Sequence, residues 1–257
     1  MLKKRIIPKL LIKSLEFGKR KKQVLVITKN FNEIMPVGDP VSQAKVYESQ
    51  LADELMLINL SKESQGMFIE TLDTMAKNLA TPLAVGGNIK DLDEAENLFN
   101  NGADKVILNT GAISNPEVIN ELTNKYGSQS ICLAIDIRQE NDFIYMRGKK
   151  SKIEPGEMID WLKEVQRRGC GEIMVSDIKR DGMSSGLNIE LLKQIRDICK
   201  VPLIISGGCG TAQHFIDGFK NGADAVAAGT FFCKRDQNPL QCRSHVLNAN
   251  ISVRNSL

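Results

Sequence analysis

The sequence predicts a (β/α)8 barrel built from two (β/α)4 halves, because one pattern of strand, glycine turn, helix and strand occurs twice. In the first half, residues Pro82–Ile89 (PLAVGGNI) are followed by Asn101–Val106 (NGADKV). About 120 residues later, Pro202–Cys209 (PLIISGGC) is followed by Asn221–Val226 (NGADAV). Apolar strands that alternate with amphipathic helices pair in parallel through right-handed crossovers. Barrels of this kind carry their chemistry at the C-terminal ends of the strands, where these glycines stand.

In the first half, short aliphatic or β-branched runs bounded by turn residues predict four strands. They are Arg5–Ile12, Glu54–Asn59, Leu83–Gly86 and Lys105–Leu108. Apolar residues at helical spacing predict the helices Ser42–Glu48, Met67–Asn78, Leu92–Asn100 and Pro116–Tyr126. Asp91 is a capping residue for the third helix, and Pro116 suits the first turn of the fourth.

In the second half, the same criteria predict the strands Ser130–Asp136, Glu172–Asp177, Leu203–Ser206 and Ala225–Ala228, and the helices Glu157–Arg168 and Ile189–Cys199. Two connections exceed the usual length of about 2–6 residues. One runs from Lys13 to about Pro40, and the other, from Ile137 to Glu154, has room for a hairpin around residues 143–145. Long loops on this face of a barrel often act as lids. The pattern after Phe232 is weak, and residues 248–257 are expected to fray.

Length and composition are those of one globular domain spanning residues 1–257, since 257 residues suit a single barrel and no linker divides the chain. A net charge of +3 is too small to indicate a nucleic-acid partner. No stretch approaches the roughly 18 apolar residues of a membrane span, and Lys9 and Lys13 interrupt the apolar runs that a targeting signal needs. Nine Lys or Arg residues lie between Lys3 and Lys22. They form either a solvated loop or a lip that attracts an anionic ligand.

Six cysteines without a C-x-x-C motif indicate free thiols in a reducing cytoplasm. His214 and His245 are isolated from other ligand types, so we expect neither a metal site nor a cofactor.

Paired polar turns predict a ligand with a phosphate at each end. Glycine lets backbone N–H groups approach an anion closely, and the loops after the seventh and eighth strands form the usual phosphate site of this fold. The candidate phosphate-binding residues are Gly86, Gly87, Asn109, Thr110, Gly182, Gly207, Gly208, Gly229 and Thr230. The alternative is that these glycines only make tight turns.

Three carboxylates follow the fifth and sixth strands and point towards the barrel mouth. Asp136 is the candidate general acid or base, because it closes an apolar strand where nothing structural calls for a charge. Asp177 and Asp181 are candidates for orienting an acceptor. Asp181 can instead simply shape the turn with Gly182.

Four charged residues open barrel strands and are expected to converge at the opposite rim. They are Arg5, Glu54, Lys105 and Glu172, which begin the first, second, fourth and sixth strands. Two bases and two acids there make a closed salt-bridge ring, which can serve as a stabilising plug.

Several motifs resemble the cyclase subunit of imidazole glycerol phosphate synthase, in collinear order from Met1 to about Phe232. They are Lys4–Pro8, Gly38–Pro40, Asp53–Leu55, Gly102–Val106, Gly127–Gln129, Ala134–Asp136, Gly171–Ile173, Arg180–Gly182 and Ser206–Gly208. The resemblance implies a (β/α)8 lyase subunit of a glutamine amidotransferase complex, with a glutaminase subunit (HisH-like) docked beneath the barrel. Ammonia then crosses the barrel to a bisphosphorylated substrate at the top. The charged ring matches the family's ammonia gate, and Asp104 and Gln129 match positions that face the glutaminase.

The resemblance also shows departures at the site. Of the family's two catalytic aspartates, the second matches Asp136, but the first falls on Leu11, which cannot transfer a proton. The family's substrate-binding lysine falls near Ile27, and Lys29 is a possible substitute. Further departures are Asn59 for aspartate, Met183 for threonine and Asn88 for glycine. Losing one positioned acid or base costs about 10²–10⁴ in rate, so the departures predict different chemistry.

A divergent (WbuZ-like) branch of the family resembles the chain more closely, including Leu10 and Leu11. Its members accompany a glutaminase and a sugar amidotransferase in surface-polysaccharide pathways. The sequence therefore favours an ammonia-channelling subunit that serves sugar amidation. One alternative is an authentic cyclase of histidine biosynthesis in which another carboxylate, such as Asp177, replaces the missing one. The other is a non-catalytic scaffold of the glutaminase complex.

Overall fold

The computed structural model describes residues 3–61, 63–141, 143–149, 151–234 and 237–254. The strands are β1 (Arg5–Phe17), β2 (Arg20–Lys29), β3 (Glu33–Gly38), β4 (Leu55–Asn59), β5 (Leu83–Gly86), β6 (Lys105–Leu108), β7 (Ile131–Glu140), β8 (Phe143–Met146), β9 (Glu172–Asp177), β10 (Leu203–Ser206) and β11 (Ala225–Ala228). The helices are α1 (Pro40–Ser49), α2 (Gln65–Asn78), α3 (Leu92–Asn100), α4 (Thr110–Ser114), α5 (Glu117–Tyr126), α6 (Pro155–Arg167), α7 (Ile189–Arg196), α8 (Ala212–Lys220), α9 (Thr230–Lys234) and α10 (Pro239–Asn248).

Eight of these strands close into a parallel barrel. The order β11-β10-β9-β7-β6-β5-β4-β1 is completed by parallel pairing of β1 with β11, in which Arg5 lies opposite Ala225. Helices connect the strands, so the predicted (β/α)8 fold is confirmed. No helix in the described part of the chain is long and apolar enough to cross a membrane.

The two long connections form antiparallel extensions of the barrel sheet. The connection after Lys13, expected as a loop, contains the end of β1 together with β2 and β3, which pair antiparallel. Gly18, at φ +62°, makes the tight turn between β1 and β2, and Val24 to Thr28 are buried. The hairpin predicted after the fifth barrel strand is confirmed, because β8 pairs antiparallel with the end of β7.

Alternation along each barrel strand separates an outer core from a lumen. On β1, Ile6 and Leu10 pack outward against the helices, whereas Ile7 points into the lumen. The lumen is filled by an apolar cluster of Ile7, Met56, Ala84, Ile107, Cys132, Ala134, Met174, Ile204, Ala225 and Ala227. Because side chains on one face of a strand recur every second residue, Arg5, Lys9 and Leu11 share the inner face with Ile7.

The C-terminal tail is ordered where the sequence analysis expected fraying. Helix α10 packs against α8 and β1, with its N-cap Asn238 accepting from the backbone of Gln241. Val253 then forms a parallel bridge with Lys4. The expectation was wrong for residues 248–254, because Arg243 pairs with the buried Asp53 and also donates to the backbone oxygen of Arg254, which fixes this segment to the barrel. Residues 255–257 lie outside the described part of the chain.

Candidate functional site

A cavity of about 330 Å³ opens at the C-terminal end of the barrel strands. Its wall combines the inner faces of the strands with the turn between β2 and β3. Residues that line it include Lys9, Leu11, Phe31, Ile58, Asn59, Asn88, Asn109, Asp136, Arg147 and Ser176. The cavity reaches down to Ile107 and Met174 of the lumen cluster. The apolar side chains of the lumen therefore form the floor of the cavity.

Asp136 is the buried carboxylate of this cavity. Asn109 Nδ2 donates to its Oδ2 at 2.7 Å, and Arg147 Nη1 lies 4.0 Å from the same oxygen. Burial raises the pKa of Asp136, although Lys9, Arg147 and Asn109 oppose that rise by stabilising the ionised form. A raised pKa brings a carboxylate closer to the range in which a general base works best.

Leu11 forms part of an apolar wall, at the position that the family resemblance assigns to a carboxylate. It packs with Val24 and Val26 of β2 and with the partly buried Leu15, Ile58 and Leu60. An ionised group there would face hydrocarbon. Leu11 therefore gives this side of the cavity no group that can transfer a proton.

Lys9 is a site residue that the sequence analysis did not identify. It is 7% exposed, and its Nζ donates to Ser206 Oγ at 3.0 Å. The Nζ also lies 6.0 Å from the centre of the Phe31 ring. The signal in the sequence was the two-residue alternation on β1, which puts a lysine on the inner face two residues before Leu11.

Phe31 covers the cavity from the β2–β3 turn. Asn30 and Phe31 have φ of +52° and +60°, and Asn30 N donates to the backbone oxygen of Asp181 at 3.0 Å. Thr28 Oγ1 lies 2.5 Å from Asp181 Oδ2, and Phe31 N donates to the same oxygen. Phe31 also lies 5.8 Å from the Arg147 guanidinium carbon. Asp181 thus holds the turn over the mouth.

The carboxylate of Asp177 is held by the loop that follows β9. It accepts from Lys179 N at 2.9 Å and from Asn188 Nδ2 at 2.7 Å, and Arg180 Nε lies 3.5 Å away. Since Ser176 lines the cavity, alternation directs Asp177 to the opposite face of β9. The carboxylate of Asp177 is thus engaged away from the cavity, and the substitution of Asp177 for a missing catalytic group gains no support. Asp181 lines the second cavity, and its role in orienting an acceptor stays a prediction.

The glycine turns satisfy strict backbone requirements. Gly87, Gly207 and Gly208 have φ of +113°, +93° and +100°. A Cβ on Gly208 would lie 2.1 Å from the oxygen of Gly186, and one on Gly182 would lie 2.1 Å from the oxygen of Thr28. Crowding alone therefore explains why these positions need glycine, so their presence does not by itself establish phosphate binding.

The remaining candidate phosphate residues lie at the same rim. Asn109 precedes α4, which begins at Thr110, and Gly229 precedes α9, which begins at Thr230. A second cavity, of about 20 Å³, is lined by Lys9, Asp181, Gly182, Ser206, Gly207, Gly208, Cys209, Ala227, Ala228, Gly229, Thr230 and Phe231. Gly86 ends β5, where a Cβ would lie 2.9 Å from that of Ile107. Lys9 is thus common to both cavities.

The positions that depart from the family surround the mouth in different ways. Asn59 is buried and accepts from Ser61 N at 2.9 Å, whereas Asn88 has φ +62° in the turn after β5. Ile27 is buried in β2, and Lys29 and Met183 are exposed. The buried Ile27 cannot stand in for a substrate-binding lysine.

Four charged residues form a closed ionic ring at the N-terminal end of the barrel. Arg5 pairs with Glu54 at 2.7 Å and with Glu172, and Lys105 pairs with Glu172 at 2.6 Å and with Glu54 at 3.2 Å. Burial alone would lower the pKa values of Arg5 and Lys105, but the two carboxylates outweigh it and raise both. Arg5 and Lys105 therefore stay charged at neutral pH, directly beneath the apolar lumen.

Asp104 and Gln129 are exposed near this ring. Asp104 precedes β6, and its Oδ2 accepts from Leu83 N at 2.8 Å. Gln129 lies in a short helical turn before β7, where its Nε2 donates to the oxygen of Tyr126 at 3.2 Å. Both residues are accessible to a partner approaching the N-terminal end of the barrel.

The fold and site define a (β/α)8 barrel with an ionic ring at one end and a carboxylate-bearing cavity at the other. A family model described as histidine biosynthesis protein matches residues 5–238. The chain belongs to this family, and its relatives are of the HisF type.

Three relatives illustrate the likeness. One is the hisF2 protein of Prochlorococcus marinus (strain MIT 9313), which is named provisionally as a subunit of imidazole glycerol phosphate synthase. It is 47% identical to this chain over 259 residues, which cover 99% of each chain. The imidazole glycerol phosphate synthase subunit HisF of Staphylococcus carnosus is 38% identical over 242 residues, 91% of this chain and 92% of its own. The HisF subunit of Pyrobaculum aerophilum is 35% identical over 235 residues, 90% and 92% of the two chains.

Proposed function

We propose that this chain is the ammonia-using barrel subunit of a glutamine amidotransferase complex of the imidazole glycerol phosphate synthase type. The observation that carries the proposal is the alignment of three features on one axis. These are the closed ring of Arg5, Glu54, Lys105 and Glu172, the apolar lumen above it and the cavity that contains Asp136.

The lumen favours neutral ammonia over the ammonium ion. Between the ring and the cavity the inner side chains are apolar, including Ile7, Met56 and Met174. Moving an ammonium-sized ion into such surroundings costs several kcal/mol, whereas a small neutral molecule avoids most of that cost. The ring then acts as the gate, because opening one of its ion pairs gives ammonia access to the lumen.

The partner at the ring is a glutaminase of the HisH type. The names of the HisF relatives describe them as subunits, which supports an assembly with another chain. The exposed Asp104 and Gln129 lie beside the ring and supply polar contacts for that partner.

The ligand at the mouth is a phosphorylated small molecule. Lys9, Lys13 and Arg147 line the large cavity and give it cationic groups. The turns that contain Gly207 and Gly229 meet at the small cavity, on the side where this fold usually binds phosphate. Asp136 then serves as the base that relays protons during attack by ammonia.

The acceptor that we place first is the bisphosphorylated precursor of the histidine-type cyclase reaction. The relatives named as HisF subunits of imidazole glycerol phosphate synthase support it, as does the retention of Asp136 in a buried position. This order differs from that of the sequence analysis, which placed sugar amidation first because of Leu11.

The second candidate is delivery of ammonia to a sugar, in cooperation with a sugar amidotransferase of surface-polysaccharide synthesis. The observation that favours it is the apolar wall around Leu11, opposite Asp136, where the cyclase family carries a carboxylate. A non-catalytic scaffold is disfavoured by the buried Asp136, since an ionisable group with raised pKa in an open cavity has no structural role there.

The deciding experiment is ammonia-dependent turnover of the bisphosphorylated precursor by the purified chain at high ammonium concentration and alkaline pH. We expect turnover that is lost in Asp136→Asn and retained in Asp160→Asn, an exposed control on α6. No turnover by folded chain that still binds a HisH-type glutaminase would instead favour sugar amidation. Binding of the glutaminase without turnover and without binding of inorganic phosphate would favour the scaffold.

A further inference from the structure

Lys9 and Asp136 face each other across the cavity. In the closed strand order, β7 is the fourth strand from β1 in either direction, so the two strands lie on opposite walls. Both residues are on the inner faces of their strands and both line the large cavity. A ligand that fills the cavity therefore lies between an ammonium group and a carboxylate.

Lys9 is a buried cation with unused hydrogen-bonding capacity. Its Nζ donates to Ser206 Oγ, and within the described residues no carboxylate oxygen lies within 4.0 Å of it. An ammonium group has three donors, and burying such a charge without a close counter-ion costs several kcal/mol. Lys9 lines both cavities, so its remaining N–H groups can donate to a ligand in either one.

Two further polar atoms of the cavity lack partners. In the described part of the chain, Ser176 Oγ and Asn109 Oδ1 are buried and have no hydrogen-bond partner. Ser176 is 1% exposed and lies beside Asp136. Buried polar groups are nearly always satisfied, so these atoms indicate a polar ligand between Lys9 and Asp136.

We propose that Lys9 and Asp136 are an acid–base pair that adds ammonia to a carbonyl carbon of the bound ligand. Lys9 is the proton donor and Asp136 the proton acceptor. The proposal rests on the function proposed above, in that ammonia reaches this cavity. It deepens that function by assigning a further catalytic residue, Lys9.

The step balances in atoms and electrons. The ammonia nitrogen attacks the carbonyl carbon, and the C=O π pair moves to oxygen, which takes a proton from Lys9 Nζ. The electron pair of the broken N–H bond stays on Nζ, leaving a neutral amine. Asp136 accepts a proton from the attacking nitrogen, giving a carbinolamine. The carboxyl proton then returns to Lys9 through solvent at the mouth, which restores both groups.

The surrounding charges are compatible with Lys9 as the proton donor and Asp136 as the proton acceptor. Besides the pair itself, the charged groups lining the two cavities in the described residues are Lys13, Arg147 and Asp181. Arg147 lies 4.0 Å from Asp136 Oδ2 and favours its ionised form, whereas Asp181 is held by Thr28. The thiol of Cys209 is buried beside Lys9, and its burial raises its pKa, so it stays neutral.

The test compares Lys9→Met and Lys9→Arg with the exposed control Lys163→Met on α6. Ammonia-dependent turnover of the bisphosphorylated precursor is measured from pH 6 to 10 in the full chain, with inorganic phosphate binding followed by ³¹P NMR. We expect kcat to fall about 10²–10⁴-fold in Lys9→Met, with KM changed less. Lys9→Arg keeps the positive charge, but a guanidinium does not give up its proton in a protein, so kcat should fall in this variant too.

A second measurement keeps the pair testable if the precursor is not the acceptor. Carboxyl ¹³C NMR of Asp136 reports its titration in wild type and in Lys9→Met, where loss of the cation should raise the pKa of Asp136. If the wild type does not turn over the precursor but the Asp136 titration still changes in Lys9→Met, the cyclase function is refuted and the Lys9–Asp136 pair is retained. Turnover in Lys9→Met within threefold of Lys163→Met, or an unchanged Asp136 titration, would overturn the pair.

Discussion

Lys105 Nζ lies 2.6 Å from Glu172 Oε2, and both side chains are largely buried. We predict that Lys105→Met lowers glutamine-dependent turnover at least about 10-fold more than ammonia-dependent turnover, because the ring controls entry to the lumen while the cavity is unchanged. Removing one partner of a buried pair also costs about 3–5 kcal/mol. The ratio of the two activities, measured in the complex with a HisH-type glutaminase, checks this. Equal loss of both activities would assign the ring a purely structural role.

Stability should report the buried charge of Asp136. Its pKa is raised above 3.8 in the folded chain, so the unfolded carboxyl ionises first as pH rises and the folded state loses stability across that interval. Asp136→Asn is therefore expected to raise the free energy of unfolding at pH 7. The gain should fade below pH 3.8, where both states are protonated. Urea unfolding at several pH values measures it, with the exposed Asp160→Asn as control; a destabilised Asp136→Asn at pH 7 would contradict the prediction.

The turn after β10 should not tolerate a side chain. Gly208 has φ +100°, and a Cβ there would lie 2.1 Å from a backbone oxygen. Gly208→Ala is expected to lower the free energy of unfolding by at least about 2 kcal/mol. Gly156→Ala is the matched control, since a Cβ on Gly156 meets no atom within 4 Å and alanine favours the first turn of α6. Equal unfolding midpoints for the two variants would count against this account.

The C-terminal helix should depend on one buried ion pair. Arg243 Nη2 lies 2.8 Å from Asp53 Oδ1, and Asp53 also accepts from Ile6 N. We expect Arg243→Met to cost about 3–5 kcal/mol, because it leaves the Asp53 charge buried without its partner. Lys77→Met removes the exposed pair with Asp73 and should cost less than about 1 kcal/mol. Thermal unfolding distinguishes the two, and similar costs would refute the argument.

The β2–β3 turn should loosen when its contact with Asp181 is removed. Thr28 Oγ1 donates to Asp181 at 2.5 Å. Thr28→Val keeps the shape but not the donor, so amide hydrogen exchange at residues 29–33 is expected to rise several-fold. The control Thr71→Val, on α2, should leave that segment unchanged. Unaltered exchange in Thr28→Val would mean that backbone contacts alone hold the turn.

The barrel could be predicted because local pattern and topology agree at each strand. Leu83–Gly86 and Ala225–Ala228 match the observed strands, since short apolar runs ended by glycine turns leave few alternatives. The antiparallel part of β1 through β3 was missed. Its outer half carries the lysines and arginines around Lys22, and their polarity resembles that of a loop. Burial of Val24 to Thr28 against the cavity wall, a tertiary effect, decides that segment.

The site was predictable only in part, for a similar reason. Asp136 ends an apolar strand, which is a local signal, and the structure puts it in the cavity. Lys9 carries no such signal, because its significance depends on closure of the barrel opposite β7. Asp177 carries a local signal that was misleading. Its place at the end of an apolar strand predicted a side chain at the mouth, but the alternation along β9 directs it towards Asn188.

A closed barrel leaves no free strand edge, but the extension of β1 creates a new one at β3. All of β3 is exposed, including Ile34, Met35 and Val37, and it terminates the sheet beyond β2. Such an edge invites pairing with a strand from another molecule, and proline is one of the residues that discourages it. Pro36 stands in the middle of β3 and has no N–H to offer. Replacing this one imino acid should therefore lower the solubility of the protein at high concentration.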